Sequence, residues 1–142
     1  MRPDVRQAGV STVIVPARQR VRSWRWAVCL VYAVVVAVLS LAPSRSFEKA
    51  PRFFPHQDKA VHALLYAGLA GLALRAAGED RPSLATAGFV ALAVVFYGFM
   101  LEVCQDRFRP GDRRFSWGDV AANAGGSLAA FLGRRLGTRG TS

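Results

Sequence analysis

The chain is poor in the residues that most often carry recognisable chemistry. It has two cysteines and two histidines in 142 residues, and no cysteines stand at zinc-ligand spacing. Cys29 and Cys104 fall at opposite ends of their apolar runs, roughly 20 Å or more apart at helical rise. A disulfide needs alpha carbons within about 7 Å, so both read as buried free thiols. Acidic residues are scarce too, 9 against 19 Lys and Arg, for a formal net charge of +10. That excess is not a nucleic-acid signature, because the arginines are divided among separated loops and no recognised nucleic-acid motif accompanies them. No segment identifies a nucleophile or an oxyanion hole, and no cofactor or resident metal is expected. Charge is also missing from long stretches: Trp26 to Ala42 has none, and Ser83 to Cys104 has none before Glu102.

What the sequence does contain is apolar residues, 52% of the total, gathered in blocks rather than spread at amphipathic spacing. Blocks of this kind favour membrane spans. Four are expected, at about 26–42, 60–77, 83–105 and 119–133. The third is the longest, covering roughly 30 Å at 1.5 Å per residue, a full hydrocarbon core. The fold class expected is therefore all-α, an integral membrane bundle of four antiparallel transmembrane helices over residues 26–133. The short runs also fit a soluble helical bundle. Met1 to Ala42 imitates a cleavable signal peptide, with Ser40-Leu41-Ala42 as a small-x-small triplet. Pro43 just after that triplet argues against cleavage, so the segment reads as an uncleaved span.

Basic residues set the orientation. Residues 1–25 hold Arg2, Arg6, Arg18, Arg20, Arg22 and Arg25, and residues 134–142 hold Arg134, Arg135 and Arg139. With Arg75 and Arg81 they outweigh the opposite loops, which places both termini in the cytoplasm of a multi-pass cell-membrane protein. Trp24 and Trp26 form an interfacial belt on that side, and the basic segment attracts anionic lipid head groups.

With alternating spans, the start of the second, the end of the third and the start of the fourth share the outer membrane face. The polar residues collect there. Asp58, His62 and Tyr66 recur at four-residue steps on one helix face, with Lys59 three residues before His62. Glu102 and Gln105 share a face on the third span, and Asp119 and Asn123 share one on the fourth. Ser116 has the sequence form of a helix N-cap, with Asp119 in the first turn. Two rows of small residues line the fourth span, Ala121, Gly125, Ala129 and Gly133 beside Ala122, Gly126 and Ala130. They suit close packing against a neighbouring helix, with Gly68 and Gly71 offering part of the partner surface, or against a second copy of the chain.

In order and spacing, Leu39-Ser40-Leu41-Ala42-Pro43, Asp58-Lys59-Ala60-Val61-His62 with Tyr66, Glu102-Val103-Cys104-Gln105, Pro110-Gly111, Arg113, Ser116, Asp119, Asn123 and Gly126 resemble the VanZ-like family of small bacterial membrane proteins. The resemblance covers roughly Ala27 to Gly133. Ala63 stands where the family commonly has an aromatic, and Asp112 interrupts its Pro-Gly-Arg. The resemblance implies a four-helix membrane protein of the cell envelope and, through the founding member, a link to teicoplanin resistance. It implies no known reaction.

The groups themselves support three roles. In the first they clamp helices: Lys59 or Arg113 pairs with Glu102 or Asp119, and Asn123 and Gln105 bridge helices. In the second they line an outward-facing pocket for the polar head of a lipid-linked envelope precursor or another amphiphile, Lys59, Arg109, Arg113 and Arg114 attracting phosphate. In the third His62 is a general base, oriented by Asp58 or Glu102, acting on an ester or phosphoester. A metal on His62, Glu102 and Asp119 has suitable donors but no recognisable sequence spacing.

Overall fold

Local sequence signals place the helix ends. The computed structural model describes residues 17–43, 46, 51, 53–78, 82–108 and 114–137, and these hold α1 (Ala17–Leu41), α2 (Gln57–Ala76), α3 (Leu84–Phe108) and α4 (Trp117–Gly137), with no strand. α1 stops two residues before Pro43, which bars helical backbone at the residue preceding it. α2 is followed, after its C-cap Ala77, by Gly78, whose φ of 84° is the left-handed conformation that closes many helices. α3 is capped by Ser83, whose Oγ accepts from the Thr86 backbone N–H at 3.0 Å, and α4 by Ser116 in the same way. α1 already runs through Ala17 to Arg25, so the end of the basic segment is helical and continuous with the first apolar run.

The helices run up and down. At one end Lys59 of α2 reaches Asp119 of α4, Ser116 reaches Glu102 of α3, and Gln105 of α3 reaches Ser40 at the end of α1. At the other end Arg25 of α1 donates to the Arg75 carbonyl at the end of α2. α2 and α3 form the central diagonal, each touching all other helices, while α1 and α4 make no contact among the described residues.

The core lies along α2, with Tyr66, Leu69, Ala70 and Leu74 packed against Val36 of α1 and Val90, Val94 and Leu101 of α3. Glycine sets the closest approaches. A methyl on Gly126 would collide with the backbone carbonyl of Ala63, so α2 and α4 meet there backbone to backbone. A methyl on Gly98 would stand 2.6 Å from Asn123 Nδ2 and 2.7 Å from the Tyr66 ring. These contacts narrow one expectation and correct another. Only the Ala122, Gly126, Ala130 row faces inward, while Ala121, Gly125, Ala129 and Gly133 are exposed. Gly68 lies against Tyr32 of α1, not against α4, and Gly71 has nothing within 4 Å of its open side.

Apolar side chains cover much of the outside as well as filling the core, and several polar ones are buried. Leu30, Val31, Val34, Val38, Leu64, Phe89, Leu92, Phe96 and Leu128 are exposed, whereas Ser40, His62, Glu102, Gln105, Asn123 and Ser127 are buried. Among the described residues two helices are long and apolar enough to cross a membrane, Gln19–Leu41 within α1 and Leu84–Phe108, where the sequence reading expects four. Cys29 and Cys104 are both free thiols, as their spacing implies, but only Cys29 is buried and Cys104 is half-buried.

Candidate functional site

Polar residues of three helices gather at one end of the bundle. The first turns of α2 carry Lys59 and His62, the last turns of α3 carry Glu102, and the first turn of α4 carries Asp119, with Asn123 one turn further in. One ligand-bearing atom from each of His62, Glu102 and Asp119 lies within 4.8 Å of the others. No sequence spacing joins these groups; the antiparallel threading of three helices does.

Each member is held by a specific contact. His62 Nδ1 meets Asn123 Oδ1 at 3.2 Å. An amide oxygen only accepts, so the neutral ring carries its proton on Nδ1 and keeps the basic lone pair on Nε2. The imidazole also lies parallel to the Tyr66 ring, 5° between planes and 6.3 Å between centroids. Glu102, 2% exposed, accepts the Ser116 backbone N–H on Oε2 at 3.3 Å. Lys59 Nζ binds Asp119 Oδ1 at 3.0 Å, and that hydrogen bond and charge push the ammonium above the usual lysine range. A methyl on Gly118 would stand 2.9 Å from Lys59 Nζ, so the glycine leaves room for the ammonium.

Other expected members sit elsewhere. Asp58 faces outward and pairs with Lys59 at 3.6 Å. Partial burial works against its charge, but Lys59 prevails and holds the carboxyl below the usual range. It does not orient His62; Asn123 does. Gln105 turns away from the cluster, its Nε2 donating to the Ser40 carbonyl at 2.6 Å, and so ties α3 to α1. Ser116 Oγ accepts from the Asp119 N–H at 3.3 Å, the capping role its position implies. Tyr66 lies beneath His62, 1% exposed. Arg113, with Arg109 and Pro110-Gly111, lies outside the described residues, and Arg114 is exposed.

Sequence reasoning missed three features. Gly98 admits Asn123 and Tyr66 to the flank of α3. Phe99, Phe115 and Trp117 form a ring cluster on either side of Ser116, with Phe115 and Trp117 5.0 Å apart edge to face and Phe99 5.7 Å from Phe115. The aromatic density around Ser116 was the available signal. Tyr97 donates its hydroxyl to the Ala33 carbonyl at 2.7 Å, a second tie between α3 and α1. Asn123 Nδ2 is buried with no hydrogen-bond partner among the described residues.

Chemically, the cluster offers an imidazole nitrogen, two carboxylates and one ammonium in a small volume. It suits hydrogen bonding to a polar head group, proton transfer at His62, or coordination of a cation. No family model, curated protein or solved structure matches this chain.

Proposed function

We propose that this chain is a VanZ-like integral membrane protein of the cell envelope. In this reading all four helices cross the bilayer, both termini are cytoplasmic, and the polar rim faces outward to bind the head group of a lipid-linked envelope precursor or a similar amphiphile. The family resemblance brings with it an effect on glycopeptide susceptibility, teicoplanin above all.

Support for the membrane comes from the exposed leucines, valines and phenylalanines around buried polar residues, an arrangement that water disfavours and lipid accepts. The observation that carries the binding role is the convergence of His62, Glu102 and Asp119, with Lys59 on Asp119. Ionisable groups at the bilayer centre cost roughly 2.5–3.5 kcal/mol each on insertion scales and less near an interface. Bringing such groups from three helices to one point is costly unless they are partnered or used. Gln105, which clamps α3 to α1 through Ser40, is the packing solution a bundle uses when nothing else is asked of the residue.

The test uses purified protein in nanodiscs with a polyprenyl pyrophosphate as probe. Saturable binding, lost in Glu102→Gln and His62→Ala variants that insert and accumulate normally, is the expected outcome. Depletion of both variants with no binding by the wild type would leave the clamp as the function. Hydrolysis of the probe would select the enzymatic reading, with His62 as general base through Nε2 and Asn123 as its orienting partner.

A further inference from the structure

We infer that the end of the bundle opposite the rim holds the phosphate of an anionic phospholipid between α1 and the close of α2, on Arg22, Arg25 and Arg75, resting on the reading of the chain as a membrane protein. The first argument is the path of α1. Its bundle-facing stripe runs through Cys29, Val36 and Ser40, all buried, and through Tyr32, which lies against Gly68 of α2. Continued towards the N-terminus by three- and four-residue steps, that stripe arrives at Arg25 and Arg22. Arg25 stands as far before Tyr32 as Arg75 stands after Gly68, so the two are level, and Arg25 Nη1 donates to the Arg75 carbonyl at 3.4 Å. α2 closes at Ala76, whereas α1 continues from Arg25 back to Ala17, roughly 12 Å at 1.5 Å per residue. α1 therefore projects past its neighbour, with arginine where the core stripe would run.

The second argument is charge. Arg22, Arg25 and Arg75 are exposed at one end of two adjoining helices, and no carboxylate among the described residues pairs with them. Arg25 spends one N–H on the Arg75 carbonyl and keeps the rest of its donor fork. Gathered cations of this kind call for an anion, and phosphate is the one that a guanidinium grips with two parallel N–H groups.

The third argument is what surrounds the arginines. Trp24 and Trp26 are exposed beside them, and Val28 and Val31 are exposed further along the same helix. Tryptophan favours the head-group level of a bilayer, which puts the guanidinium groups at phosphate depth and the valines beside the acyl chains. Basic groups between helices at a membrane surface receive anionic lipid heads in this way. A free phosphate would leave the apolar strip uncovered, and a choline head would bring a further cation into the cluster. The occupant is thus a lipid of net negative charge.

The experiment places full-length protein in phosphatidylcholine nanodiscs carrying a minor share of phosphatidylglycerol brominated on its acyl chains. The readout is quenching of Trp24 and Trp26 fluorescence in a Trp117→Phe background, against brominated phosphatidylcholine at the same share. Stronger quenching by phosphatidylglycerol is expected, with the lipid preference falling about fivefold in each of Arg22→Gln, Arg25→Gln and Arg75→Gln. Arg25→Lys and Arg75→Lys keep the charge that sets topology but lose the paired donors, and should lose part of the preference. All three side chains are exposed, so the variants fold. Equal quenching by the two lipids, or wild-type preference in the glutamine variants or in the lysine variants, overturns the inference and leaves these arginines as topology determinants. No quenching by either lipid overturns the membrane reading as well, which separates failure of the site from failure of the reading beneath it.

Discussion

Asn123 of α4 accepts the Nδ1 proton of His62 on α2 across 3.2 Å, and both residues are buried. This contact joins the two most intimately packed helices and fixes which imidazole nitrogen is available. Asn123→Ala strands a buried N–H, a loss of about 1–3 kcal/mol. Denaturant unfolding in detergent should show that destabilisation. Wild-type stability in the variant would mean that His62 takes its orientation from another group.

Gly126 and Gly125 are adjacent and make opposite predictions. Gly126→Ala drives a methyl into the Ala63 carbonyl, and with rigid backbone on both sides the overpacking should cost about 1–3 kcal/mol or more. Gly125→Ala meets open space and replaces a poor helix former, for a gain of about 0.5–1 kcal/mol. Thermal unfolding of the pair reads the difference directly.

The Lys59 to Asp119 contact makes stability depend on alkaline pH. Because the folded-state value of Lys59 is raised above its ordinary 10.5, its contribution is complete below that value and disappears as pH climbs through the raised one. Asp58 is lowered from 3.8, so its contribution is present above that value and disappears as pH falls through the lowered one. In Asp119→Asn the alkaline limb of the unfolding profile should move back towards 10.5.

Threading is open to a reporter test. A periplasm-dependent enzyme fused after Gly111 should be active, and the same enzyme fused after Gly78 should be inactive. The opposite pattern would turn the rim towards the cytoplasm and remove the envelope ligand from reach.

Much of this arrangement was legible in the sequence. Helix positions follow from apolar blocks bounded by Pro43, Gly78, Ser83 and Ser116, and alternation alone gathers Lys59, His62, Glu102 and Asp119 at one end. Helix rotation was not legible. α2 and α3 are apolar on most sides, so no stripe states which face turns inward. Asp58 shares a helical face with His62 by spacing but sits one turn nearer the end, where the helix leaves the bundle and the carboxylate is exposed. Gln105 is one turn beyond Glu102 yet finds a backbone carbonyl on α1, a group no residue identity announces. The inward row of α4 was decided by the Ala63 carbonyl, again a feature of backbone.

The His62, Glu102 and Asp119 cluster is drawn from α2, α3 and α4, and among the described residues α1 and α4 do not touch. Its assembly must therefore wait for the final quarter of the polypeptide to be synthesised. Until Trp117 to Gly137 arrives, the imidazole lacks the amide that orients it and the ammonium lacks its rim carboxylate. A nascent chain stalled before that point would hold every apolar segment except one and none of the completed chemistry.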